Sequence, residues 1–161
     1  MSSSLEACGR PAEILLVEDN DNDAELMRLA FKQAKLAVSV HRVCDGEACM
    51  AFLRRQHPHE AAPQPDLVFL DLNMPRMDGR EVMREILADE QLRHLPVIVM
   101  TSSDADADVL ASYKLRCSSY IVKPIGFENF AQIIRSLSNY WFTVVVLPTT
   151  TSAQAKPGAA G

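Results

Sequence analysis

Pro65-Asp66-Leu67-Val68-Phe69-Leu70-Asp71 sets the architecture of this chain. Its four consecutive apolar residues, Leu67 to Leu70, lack the polar alternation of a half-solvated strand, so both faces of the strand they form must be covered. Pro65 cannot donate to a ladder and marks the entrance of that strand. Ile14-Leu15-Leu16-Val17 and Val38 to Val43 precede it, and Val97-Ile98-Val99-Met100 follows it behind Pro96. Ser119-Tyr120-Ile121-Val122 closes the series. The pattern predicts five strands in a parallel sheet covered on both sides.

Helical spacing fills the intervals. Leu26, Leu29, Ala30 and Gln33 with Phe31 form a stripe after Asp23, and Ala48, Phe52 and Leu53 form one after Asp45-Gly46. A third runs through Val82, Met83, Ile86 and Leu87, a fourth through Val109, Leu110 and Tyr113, and a fifth through Phe127, Phe130, Ile133, Ile134, Leu137 and Trp141. A helix after every strand gives a (βα)5 chain, an α/β doubly wound parallel five-stranded sheet. Gln56 to Gln64 reads as a longer surface loop. Residues 1–11 and 149–161 are rich in small and polar residues and are expected to be disordered, leaving 12–148 as one domain with a C-terminal extension.

The chain has 161 residues, 16 Lys+Arg against 21 Asp+Glu, a net charge of −5 and 48% hydrophobic residues. That length closes a core without a metal or disulfide staple. The acidic balance and the lack of a basic run argue against nucleic acid as a partner. No apolar run approaches the roughly 18 residues of a membrane span, and Met1 to Arg10 lacks the apolar middle of a secretion signal. No membrane association and a cytoplasmic location are therefore expected. Cys8, Cys44, Cys49 and Cys117 form no CxxC pair, which favours free thiols over zinc.

In an open α/β sheet, ligands gather beyond the carboxyl ends of the strands. Glu18 and Asp19 follow the first strand, Asp71 the third, Thr101 the fourth and Lys123 the fifth. Three carboxylates at one edge repel each other and call for a cation, and Mg²⁺ fits an all-oxygen donor set. Asp19 and Asp71 are the expected direct ligands, Glu18 binds directly or through water, and the backbone carbonyl of Asn73 completes the protein's share. The Thr101 hydroxyl and Lys123 ammonium suit phosphate oxygens. Singly, Asp19 and Asp71 are more often helix caps or turn residues, Thr101 a helix cap and Lys123 a solvated lysine. Their joint placement at four strand ends favours a site.

The combination of Val17-Glu18-Asp19, Asp71-Leu72-Asn73-Met74-Pro75 with Met77-Asp78-Gly79, Thr101-Ser102 and Lys123-Pro124 resembles the receiver domain of two-component response regulators, over about residues 13–140. The resemblance implies a flavodoxin-like sheet of strand order 2-1-3-4-5. It implies that Asp71 accepts a phosphoryl group from a phosphohistidine on a sensor histidine kinase, with Mg²⁺ bound beside it. Thr101 and Tyr120 would then switch, and Lys123, joined to Pro124 by a cis peptide, would pair with a phosphate oxygen. Such a protein is a signalling module, not an enzyme, although it assists its own phosphotransfer and dephosphorylation.

Glu18-Asp19-Asn20, the loop from Gln56 to Pro65, Thr101-Ser102-Ser103-Asp104 and the end from Tyr140-Trp141-Phe142 to Leu147-Pro148 resemble the small regulators that partner phytochrome-type histidine kinases. Apolar character persists from Tyr140 and Phe142 through Val144 to Leu147, past the fifth helix. A symmetric homodimer through the fifth helix and this extension would cover it; folding back onto the same domain is the alternative. Two other functions stand beside the phosphoacceptor. One is a Mg²⁺-dependent phosphohydrolase with Asp71 as nucleophile, although such enzymes carry a second acid where this chain has Asn73. The other is a receiver-shaped interaction protein that is never phosphorylated, against which the intact Asp19, Asp71, Thr101 and Lys123 argue.

Overall fold

The computed structural model describes residues 11–74, 76–101, 119–123 and 126–139. Their elements run β1 (Ala12–Val17), α1 (Asp21–Gln33), β2 (Val38–Val43), α2 (Gly46–Leu53), β3 (Leu67–Asp71), α3 (Gly79–Ala88), β4 (Val97–Thr101), β5 (Ser119–Val122) and α4 (Phe127–Asn139). All neighbouring strands are parallel, in the order β2-β1-β3-β4-β5. The expected architecture is therefore the observed one. The fourth helical stripe, the Lys123-Pro124 peptide, residues 1–10 and residues 140–161 lie outside the described residues.

Alternation along the strands builds two cores. Leu15, Val17, Val68, Leu70, Val97 and Val99 pack with α2 and α3, whereas Ile14, Leu16, Leu67, Phe69, Ile98 and Met100 pack with α1 and α4. Every residue of β3 and β4 is buried, as their unbroken apolar runs require. On the α1 and α4 side, Phe31, Phe69 and Phe130 meet edge to face with centroids 5.8 to 6.1 Å apart, tying α1 and α4 to the central strand.

Two helical faces differ from the sequence expectation. The first helix begins at Asp21 rather than after Asp23, because extended Asn20 caps it by accepting the Asp23 backbone N–H at 2.9 Å. Its buried face is Ala24, Met27, Ala30 and Phe31, while Leu29 is 47% exposed and Gln33 is also exposed. Ala24 and Ala30 share that face with the larger Met27 and Phe31, one turn apart, which fill the space against the sheet. In α2, capped by Asp45, the buried residues are Cys49, Met50, Phe52 and Leu53, with Ala48 only partly covered.

Strand order places the site. The chain leaves β1 through α1 to β2 on one side, then crosses back through α2 to β3 on the other side of β1. Right-handed crossovers in opposite directions put α1 and α2 on opposite faces and leave a crevice beyond the carboxyl ends of β1 and β3.

Candidate functional site

The polar residues that follow the strands line that crevice. Glu18, at the end of β1, has no solvent exposure; its backbone N–H donates to the Val43 carbonyl at 3.1 Å, which extends the sheet pairing by one step. Asp19, the next residue, is exposed. Asp71 closes β3 and is 3% exposed, and its Oδ1 accepts the Asn73 backbone N–H at 2.9 Å. Thr101 closes β4, is buried, and its Oγ1 accepts from Asn73 Nδ2 at 3.3 Å. The Lys123 backbone N–H donates to the Thr101 carbonyl at 2.6 Å, so the lysine leaves β5 already registered against β4.

The loop after β3 is held by two glycines that permit close approach. A Cβ on Gly79 would lie 2.6 Å from Leu72 Cα and 2.7 Å from the Asp71 carbonyl oxygen, and one on Gly46 would overlap the Met77 carbonyl. Asp78 caps α3 by accepting from Arg80 N and Glu81 N at 3.0 and 3.1 Å. Asp71 is thus fixed from the strand side and from the helix side.

Lys123 Nζ sits among carboxylates. It donates to Glu18 Oε1 at 2.8 Å and Asp71 Oδ2 at 3.3 Å, and pairs with Asp23 Oδ2 at 2.9 Å. Oxygen atoms of Glu18, Asp19 and Asp71 all fall within 4.8 Å of one another. Together with Asn20, Asp23, Asn73 and Lys123 these residues border an open cleft of about 410 Å³. Four carboxylates therefore face one ammonium among the described residues.

Burial, with the neighbouring Asp71 charge adding to it, pushes the Glu18 carboxyl up to about 7; the Lys123 and Asn20 hydrogen bonds oppose that rise. For Lys123, burial alone would disfavour the charge. Its bonds to Glu18 and Asp23 and the Asp71 charge outweigh burial and hold the ammonium well above its ordinary range. A set of carboxylate oxygens with excess negative charge fits a hard divalent cation. Glu18, Asp19 and Asp71 are the residues that would hold it, with Asn73 on the cleft wall.

The structure brings together Glu18, Asp19, Asp71, Asn73, Thr101 and Lys123, as the strand-end argument expected. Tyr120 lies in β5, paired in register with Val99, and its side chain is outside the described residues. Asp23 was missed. Its signal was Asn20: a cap there puts Asp23 in the first turn of α1, on the rim of the cleft.

The sequence and the fold have relatives among known proteins. The response regulator receiver domain model matches residues 14–135. Response regulator Rcp1 from Synechocystis sp. (strain ATCC 27184 / PCC 6803 / Kazusa) is 38% identical over 138 residues, 86% of this chain and 94% of that protein. The crystal structure of its Mn²⁺-bound form superposes with a TM-score of 0.78 at 37% identity, covering 86% of this chain and all of that one. The phosphorylated cyanobacterial phytochrome response regulator RcpA gives a TM-score of 0.79 at 37% identity, over 86% and 99% of the two chains. The bacteriophytochrome response regulator RtBRR gives 0.71 at 35% identity, over 90% and 88%.

Proposed function

The chain belongs to the response regulator receiver domain family, and from that membership we propose that Asp71 accepts a phosphoryl group from the phosphohistidine of a sensor histidine kinase of the phytochrome type. The observation that carries the assignment is the position of Asp71: a buried carboxylate at the switch point, 3.3 Å from the Lys123 ammonium, with an oxygen within 4.8 Å of oxygens of Glu18 and Asp19. Phosphoryl transfer asks little covalent chemistry of a protein and much positioning and charge neutralisation. Lys123 supplies a fixed positive charge. The Asn73 N–H orients the Asp71 carboxylate.

The structure of Rcp1 was determined with Mn²⁺ bound; for this chain the reading takes Mg²⁺, held by Glu18, Asp19, Asp71 and the Asn73 carbonyl. When bound it would neutralise charge on the incoming phosphate. Thr101 and Tyr120 are assigned as the switch residues that respond to the phosphoryl group, and Lys123 as its partner. The likeness of this chain to phytochrome response regulators supports the kinase class. A homodimer through α4 and the apolar residues that follow it, and a cytoplasmic location, belong to the same reading. Among the described residues no helix is long and apolar enough to cross a membrane.

The test is intact mass after incubation with acetyl phosphate and Mg²⁺. One added phosphate is expected in the wild type and none in Asp71→Asn or with excess chelator. Uptake by Asp71→Asn at the wild-type rate would overturn the assignment.

A further inference from the structure

We propose that Asp23 is a positioning residue for this phosphotransfer: it holds the Lys123 ammonium on the α1 side of the cleft, in competition with Asp71 and with any phosphoryl group Asp71 carries. The inference rests on Asp71 being the phosphoacceptor.

An ammonium has three protons, and three carboxylates share this one. The distances rank them: Glu18 at 2.8 Å, Asp23 at 2.9 Å and Asp71 at 3.3 Å. The phosphoacceptor has the longest contact. Asp23 is fixed where it stands, because its own backbone N–H is held by the Asn20 cap at 2.9 Å. Its side chain is 39% exposed on the rim while that of Lys123 is 10% exposed, so the pair spans the cleft from solvent to interior. Asp23 is not among the carboxylates that converge within 4.8 Å of one another. Its reach into the site is through the lysine.

In the transfer from acetyl phosphate, an Asp71 carboxylate oxygen attacks phosphorus. The bond from phosphorus to the acetyl oxygen breaks, and acetate leaves with the electron pair. The phosphoryl oxygens then need the Lys123 proton that points toward Asp71. Asp23 opposes this by drawing the ammonium the other way, through a charge-assisted bond shorter than the one to Asp71. Without that pull, Lys123 settles closer to Asp71 and meets the developing phosphoryl charge sooner.

Asp23→Asn retains the shape of the side chain and removes its charge. In an intact-mass time course at saturating Mg²⁺, it is expected to take up phosphate from acetyl phosphate about two- to fivefold faster than wild type, the range of a partly exposed charged pair. In a Lys123→Met background the same change is expected to alter the rate by less than about twofold, because the two residues act as one unit. Circular dichroism in the same buffer checks that each variant is folded, and Asp23→Ser serves as the second charge-removing variant. An equal or slower rate for both Asp23 variants, with wild type phosphorylated normally, would overturn the inference. An equal acceleration without Lys123 would overturn the route through the lysine. Failure of wild type itself to gain mass is a different result, which removes the phosphoacceptor reading and this inference with it.

Discussion

At Glu18 a carboxylate without solvent exposure is bound to the Lys123 ammonium at 2.8 Å, and each residue makes the burial of the other tolerable. The Glu18 carboxyl is raised from 4.5 to about 7 even with the lysine present, with burial the first cause. The folded state therefore binds this proton more tightly than the unfolded state. What Glu18 contributes to stability is fully present below about 4.5 and is lost as pH rises through about 7. Lys123→Met removes the charge but keeps the bulk, leaving Glu18, Asp23 and Asp71 facing one another. In chelator at pH 8 the variant is expected to lose roughly 3–5 kcal/mol, the cost of stranding one member of a buried pair. The loss should shrink at pH 5, where Glu18 holds its proton. Urea unfolding at both pH values checks it, and an equal loss at both would remove Glu18 as the cause.

Elements carry the site through their ends. The carboxyl ends of β1, β3, β4 and β5 present Glu18, Asp71, Thr101 and Lys123, and the caps Asn20 and Asp78 fix where α1 and α3 start relative to those ends. Gly79 is the closest joint. Its N–H donates to the Leu72 carbonyl at 3.0 Å, and an added Cβ would meet backbone rather than a flexible side-chain tip. Gly79→Ala is expected to cost about 1–3 kcal/mol, as overpacking against atoms that cannot yield does. Because the displaced backbone carries Asp71 and Leu72, slower phosphate uptake should accompany the stability loss. Denaturant midpoints and intact mass measure the two together, and a variant with wild-type values in both would refute the packing argument. At Asp71 the element and the site are the same object.

For the whole molecule, the proposed assembly runs through the residues after α4. Tyr140, Trp141, Phe142 and Val144 to Leu147 continue the apolar character of the sequence past it, and the proposed dimer would cover them. Under the dimer reading, light scattering at micromolar concentration is expected to give about twice the chain mass, 17.8 kDa, and truncation after Asn139 to return the monomer. A full-length monomer would end that reading, and a dimer that survives truncation would move the interface elsewhere. The amino-acid sequence makes the fold legible: short unbroken apolar runs such as Leu67 to Leu70, bounded by prolines, read as strands covered on both faces, and a helical stripe after each leaves a doubly wound sheet. It determined most of the site too, since whatever follows a strand in such a sheet must reach one edge. The rotation of α1 needed the packed sheet, because Leu29 is as apolar as Met27 and their spacing does not tell which of them is buried; Met27 is covered and Leu29 is 47% exposed. The same holds for Asp23. Hydrophobic spacing reports which face of a helix is wet but not which distant charge awaits it, and Lys123, 100 positions along the chain, reaches Asp23 only once β5 has paired with β4.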